Sequence, residues 1–198
     1  MHRIALSLLL GLFFLPVSAQ IQEERDGQIV ASVGDGIKTC YFSQEKENWC
    51  WAACLQMVLY YNKVYLPQRA IVKRVFNPLE DRAASTQQMI QAINGYQKGK
   101  RLVSCWSDSI INLRDVIGEI QNGFPLIIGM EYQGRQHAMV LTHIFFQKDA
   151  TREGKIIPTR VVLVDPSRPF LKERSFSWAE FSQAINMALH LRVTKPSE

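Results

Sequence analysis

The sequence predicts an α+β domain, on three observations. Helical apolar periods fill the first part of the chain, strand-like runs take over from Pro125 onward, and the two do not alternate as βα units would. Residues 20–27 are polar and read as loose chain. Gln28 to Val33 and Ile37 to Phe42 are short apolar runs around Gly34-Asp35-Gly36, a hairpin signal. From Trp49 the period changes: Cys50, Ala53, Cys54, Met57, Val58 and Tyr61 recur at three-and-four spacing, which predicts a helix over 49–62 with a broad buried stripe.

Three more helices are expected. One over 67–76 is opened by Pro67, and one over 85–95 is opened by Ser85 and ended by Gly95. One over 112–122 is capped by Asn112 and stopped by Asn122-Gly123. Pro125 to Tyr132 and His137 to Phe146 then read as strands joined by Gln133-Gly134-Arg135-Gln136, and Arg160 to Val164 as a third strand ended by Asp165-Pro166. A short helix over 178–187 and a strand over 189–193 close the chain. The predicted architecture is a helical N-terminal part followed by an antiparallel sheet.

Composition sets broad limits. The chain has 198 residues, 47% apolar, 21% charged and 10% aromatic, which suits one globular domain and excludes collagenous or disordered classes. Four Cys are too few for a disulfide-built mini-protein.

Met1-His2-Arg3 precedes a nearly unbroken apolar run, Ile4 to Val17, closed by Ser18-Ala19. That is the pattern of a secretory signal peptide, with Val17 and Ala19 placed for cleavage before Gln20. As a helix the run rises only about 21 Å, short of the ~30 Å hydrocarbon core, so a spanning anchor is the poorer reading. The expected organisation is a leader over 1–19 and a single domain over 20–198, secreted or periplasmic, with no membrane contact after cleavage. About twenty residues then precede the first motif, which leaves no room for a large pro-segment.

Without the leader, 22 basic and 18 acidic residues leave a charge of +4. The basic residues are scattered, and only Lys98 to Arg101 cluster, in what reads as a turn. No groove-entering element or interleaved aromatics accompany them, so nucleic acid is not an expected partner.

A cysteine nucleophile works as its thiolate. The first turn of a helix favours that anion through free N–H groups and the helix dipole, and an imidazole favours it as an ion-pair partner. Cys50 sits at the start of the strongest predicted helix. His137 opens an apolar strand that would hold its ring rigidly, and Asp165 ends the neighbouring strand, where a carboxylate can orient that ring. Gln44, six residues before Cys50, carries an amide N–H pair suited to an oxyanion.

The run Gln44-Glu-Lys-Glu-Asn-Trp-Cys50-Trp51-Ala52-Ala53 resembles the active-site segment of papain-like cysteine peptidases, in which a Gln precedes the Cys by six residues and a Trp follows it. The later Gly-Phe-Pro-Leu-Ile-Ile, His137 and Val-Val-Leu-Val-Asp165-Pro166 are similar to compact bacterial members of that superfamily. These include effector peptidases of plant pathogens and leader peptidases of bacteriocin exporters. The resemblance spans roughly 37–185 and implies a papain-like fold and peptide-bond hydrolysis, with Cys50 as nucleophile, His137 as general base and acid, Asp165 as orienting residue and Gln44 as oxyanion donor. It departs from the larger papain enzymes, which carry Cys-Gly-Ser-Cys and an Asn as third residue and have wider spacings than the 87 and 115 residues from Cys50 to His137 and Asp165.

Rival readings are specific. His143 falls on the predicted His137 strand face and is the alternative base; His190 has no partner in view. No Cys-x-x-Cys or His-x-x-x-His pair supports a metal, and no cofactor is expected. Two of Cys40, Cys54 and Cys105 are candidates to pair in an oxidising compartment, with Cys40–Cys105 preferred. The same nucleophile would serve a cell-wall amidase or an acyltransferase, and a binding domain that lost activity would keep the fold.

Overall fold

A computed structural model of the chain describes residues 20–23, 27–108, 112–152, 154–167 and 170–194. The expected leader lies outside these residues. In chain order the elements are β1 (Gln20–Glu23), β2 (Ile29–Ser32), a 3-10 helix (Asp35–Cys40), α1 (Cys50–Tyr61), α2 (Gln68–Lys73), α3 (Thr86–Ile93), β3 (Gln97–Lys98), β4 (Arg101–Asp108), α4 (Leu113–Gln121), β5 (Leu126–Tyr132), β6 (Arg135–Lys148), β7 (Ile156–Asp165), β8 (Lys172–Ser177), α5 (Trp178–Ala184) and β9 (Ile185–Thr194). The α+β class is as predicted, with the helix that carries Cys50 ahead of the strands that carry His137 and Asp165, although β1 and β2 precede that helix in the same sheet.

α1 is the hub of the core. Its residues from Cys50 to Leu59 are buried except Gln56, and Ala52 and Ala53 are fully covered. A helix that is apolar nearly all round has to be enclosed. It packs on β6, with α2 and the 3-10 helix beside it.

The sheet runs β1-β2-β6-β5-β9-β4-β3, with β7 and β8 branching from β6. β5 pairs with Arg135–Leu141 of β6, β2 with the later stretch His143–Phe146, and β7 with the opposite edge from Val140 to Lys148. The edge of β6 before Val140 therefore has no β7 partner.

Four expectations need correction. Gly34-Asp35-Gly36 does not turn a hairpin, because Ile37 to Cys40 coil into the 3-10 helix under α1 while β2 finds partners in β1 and β6. β1, expected as loose chain, is a strand. β4 and β8 fall in stretches where the sequence predicts no element; both are paired strands, β4 with β9 and β8 with β7. The expected Cys40–Cys105 bridge is absent: all four cysteines are free and buried. Cys40 donates to the Gly36 carbonyl at 3.4 Å within the 3-10 turn, whereas Cys105 sits in β4 opposite Leu191, where burial pushes its thiol up to about 12.

Candidate active site

Cys50 is the first residue of α1, so its backbone N–H belongs to the group that has no helical acceptor, and the positive end of the helix dipole lies at its sulfur. Trp49 is the N-cap and gives no side-chain cap. Instead, the indole N–H groups of Trp49 and Trp51 donate to the carbonyls of Glu80 (2.7 Å) and Arg82 (3.1 Å), and the Asn48 N–H donates to Asp81 Oδ1 (2.8 Å). These bonds hold the 80–83 segment along the start of α1 as one rim of a cleft.

The opposite wall is built by strand register. Val140 pairs with Val164, so Asp165, one step further, has His137 as its diagonal neighbour on the same face. Asp165 pairs with Lys172, which puts Arg174 on that face two residues along β8, and Met130 pairs with His137, which puts Tyr132 there on β5. His137 Nε2 bonds Asp165 Oδ1 at 2.9 Å, and Arg174 Nε donates to Asp165 Oδ2 at 3.0 Å. The Arg174 guanidinium lies over the Tyr132 ring at 5.6 Å, and Tyr132 stacks on His137 with ring centres 6.2 Å apart. The four side chains thus close a ring of contacts. Only a curled sheet lets β5 and β8 meet in this way.

Electrostatics follow from this geometry. Burial of the His137 ring works against its charged form, but hydrogen bonds to Asp165 and to Cys50, and the charges of both, outweigh burial and raise its pKa to about 9. Asp165 is 1% exposed, which alone would raise its pKa. Hydrogen bonds from His137, from Ser167 (its backbone N–H at 2.8 Å) and from Arg174 hold it well below the usual carboxylate range. With Nε2 committed to Asp165, Nδ1 is the ring nitrogen left for the sulfur.

Gln44, Cys50, His137 and Asp165 all line one cavity of about 960 Å³. All four residues predicted from the sequence are therefore brought together. The Gln44 side chain has a particular setting. Its Nε2 donates to the carbonyls of Lys46 (3.0 Å) and Glu47 (2.6 Å), so in this state both amide protons are used within its own loop. The loop is anchored at Gln44 by a bond from its N–H to the Pro166 carbonyl (2.9 Å). The buried Gln68 flanks it, donating to the Ser43 carbonyl (2.9 Å) and accepting from the Glu45 N–H (2.9 Å).

The rival histidines are elsewhere. The pairing of β6 with β7 slips between Leu141 and His143, leaving Thr142 as an extra residue. That bulge turns His143 to the face opposite His137, the face of Glu173, while His143 Nδ1 bonds Thr142 Oγ1 at 2.9 Å. Burial lowers its pKa. His190 has partners after all: Nε2 meets Asp108 Oδ2 at 2.9 Å and the ring stacks on Trp106, well away from the cleft residues. Sequence reasoning misses Arg174, Tyr132 and Gln68. The alternation of Lys172, Arg174 and Phe176 with Glu173, Ser175 and Ser177 is the signal that could have found β8.

A helix-borne Cys facing a strand-borne His and Asp in one cleft of an α+β domain defines the class: a papain-like cysteine peptidase. Residues 37–186 match the family described as Peptidase_C39 like, and the chain belongs to it. Among solved structures it is similar to the peptidase domain of Streptococcus ComA, a bi-functional ABC transporter involved in a quorum sensing pathway. The TM-score is 0.53 and the identity 14%, over 76% of this chain and 95% of that one, which supports the shared fold. A looser likeness, TM-score 0.36 and 15% identity over 78% of this chain and 48% of the other, is to a periplasmic domain of the EpsAB fusion protein of the Vibrio vulnificus type II secretion system; it is too distant to bear on the fold. No curated protein matches.

Proposed function

We propose that the chain is an exported peptidase that cleaves peptide bonds with Cys50 as nucleophile, His137 as acid and base, Asp165 as orienting residue and Gln44 as oxyanion donor. The observation that carries this reading is that Cys50 and His137 line one cleft while His137 Nε2 is held at 2.9 Å from Asp165 Oδ1. The Cys50 thiolate adds to the carbonyl carbon of the substrate. The oxyanion is received by the Cys50 N–H and, once one of its loop bonds is released, by the Gln44 amide. The C–N bond breaks as the His137 imidazolium gives its proton to the leaving amine, producing a thioester. Neutral His137 then takes a proton from water; the resulting hydroxide attacks the thioester, and the acid and the thiolate leave.

Export rests on the leader-like residues 1–19. Gln20–Glu23 already pair with β2, so cleavage before Gln20 would keep that strand in the sheet. N-terminal sequencing of the exported protein should begin at Gln20; retention of residues 1–19 would remove this part of the reading.

The deciding experiment compares wild type and Cys50→Ala on a proteome-derived peptide library. Cleaved termini present only with wild type support the assignment, and equal cleavage by both proteins overturns it.

A further inference from the structure

An ion pair crosses the cleft. Arg135 Nη1 donates to Glu47 Oε1 at 3.2 Å, and both residues line the cavity that holds Cys50, His137 and Asp165. Their places in the chain explain why. Glu47 lies three residues before Cys50, in the loop of the helical wall, and Arg135 lies two residues before His137 in β6, on the same strand face as that ring. The pair therefore ties the two walls together beside the reacting groups.

Its setting marks it as exchangeable. The Arg135 and Glu47 side chains are 79% and 73% exposed, and an ion pair so open to water is weak. Among the described residues, the other cationic side chains lining the cavity are His137 and Arg174, and both are committed to the buried Asp165. Arg135 can change partner without disturbing the base.

Glu47 also restrains Gln44. Its backbone carbonyl accepts from Gln44 Nε2 at 2.6 Å, one of the two bonds that keep this amide from an oxyanion. While Arg135 grips the Glu47 side chain, that carbonyl stays over the amide. A guest that draws Arg135 away slackens the loop, whereas a guest that binds Glu47 leaves it tied. A carboxylate is the guest that fits, because the planar guanidinium fork matches its two oxygens, and Glu47 already fills the position with a glutamate side chain.

We infer that Arg135 selects substrates with an acidic side chain near the scissile bond, and that the Glu47–Arg135 pair is a clasp which such a side chain opens, releasing Gln44 to the oxyanion. This rests on the peptidase reading above. Arg135 stands about 7 Å along β6 from His137, so the acidic residue lies within about two residues of the cleaved bond.

The test measures kcat and KM on internally quenched peptides that differ only in carrying Glu, Gln or Lys at the two positions on each side of the cleaved bond. Wild type, Arg135→Gln, Glu47→Gln and Cys50→Ala are compared at low salt and in ~1 M NaCl, with thermal melts confirming that each is folded. Wild type should favour Glu over Gln and Lys at one position by about three- to fivefold in kcat/KM, and the high salt should remove the difference. Arg135→Gln should lose the preference yet turn over the Gln peptide at least as fast as wild type, because its clasp is open. Glu47→Gln should raise kcat on the Gln peptide by about three- to fivefold and keep the lower KM for the Glu peptide. Cys50-dependent cleavage without a Glu preference, a preference that survives Arg135→Gln, or slower turnover of the Gln peptide by either variant overturns the inference and leaves the peptidase reading standing. Absence of any Cys50-dependent cleavage overturns both. Should either variant not fold, the wild-type profile and its salt dependence decide.

Discussion

The two walls of the cleft are prepared to different degrees. On the sheet side, His137, Asp165, Arg174 and Tyr132 form a closed set in which each charge has an opposite partner and each ring a neighbour. On the helix side, Cys50 is held firmly by α1, but Gln44 spends its amide protons on its own loop. Strand pairing explains the contrast. Register fixes four side chains on one face of four strands at once, whereas a loop places its side chain by local bonds that compete with the substrate. In the proposed mechanism the base and its support are thus built in advance, and the oxyanion donor has to be recruited.

That contrast can be broken first at its centre. His137→Ala should lower kcat by about 10²–10⁴-fold with a much smaller change in KM, because the ring acts on the proton in flight rather than on binding. A comparable loss in KM with kcat intact would contradict the role.

Gln44→Ala comes next. A donor already aimed at the oxyanion is worth about 10²–10³-fold in kcat. Because Gln44 must first release a bond to Lys46 or Glu47, the expected loss is at the lower end, about 10²-fold. A loss as large as that of His137→Ala would mean that the helix side is prepared as fully as the sheet side.

Arg174→Ala tests whether the sheet wall needs its outer member. Without the guanidinium, Asp165 is protonated more readily in acid, so the acidic limb of the kcat/KM profile should move to higher pH. At a fixed pH on that limb, activity should fall about tenfold for each pH unit the limb moves. Arg174→Lys should bring the limb part of the way back. A variant that loses activity with an unmoved limb would reduce Arg174 to a packing role.

The smallest effect concerns stability. The pKa of His137 is raised from about 6.5 in an unfolded chain to about 9. Its contribution is therefore fully present below about pH 6.5 and disappears as pH rises through 9. Asp165 moves the other way, so its contribution is present above about pH 3.9 and is lost as pH falls below that. Melting temperatures of wild type should decline between pH 6.5 and 9 more steeply than those of His137→Ala. Parallel curves would show that the ring is not held as the sheet wall implies.

Much of this molecule is legible in its residues. The three-and-four spacing from Cys50 to Tyr61 marks the central helix, and Gln44, Cys50, His137 and Asp165 are recognisable in order. β8 escapes because Lys172 to Ser177 carries one aromatic among charges and hydroxyls, too little apolar surface to announce a strand. Its inward set, Arg174 and Phe176, gains meaning only beside Asp165 and Tyr132. Strict alternation puts residues six apart on the same side and so places His143 on the His137 face; the bulge at Thr142 breaks that rule.

The amino-acid order alone therefore determined the class of fold and singled out Cys50 and His137 as the proposed nucleophile and base, since local periodicity and the chemistry of single side chains are written residue by residue. Only the tertiary structure decided which groups surround them: the Arg174 brace, the tied amide of Gln44 and the bulge at Thr142 that turns His143 to the other face. These depend on register between strands distant in sequence and on the curl of the sheet, and both are settled by packing over the whole core rather than by any local pattern.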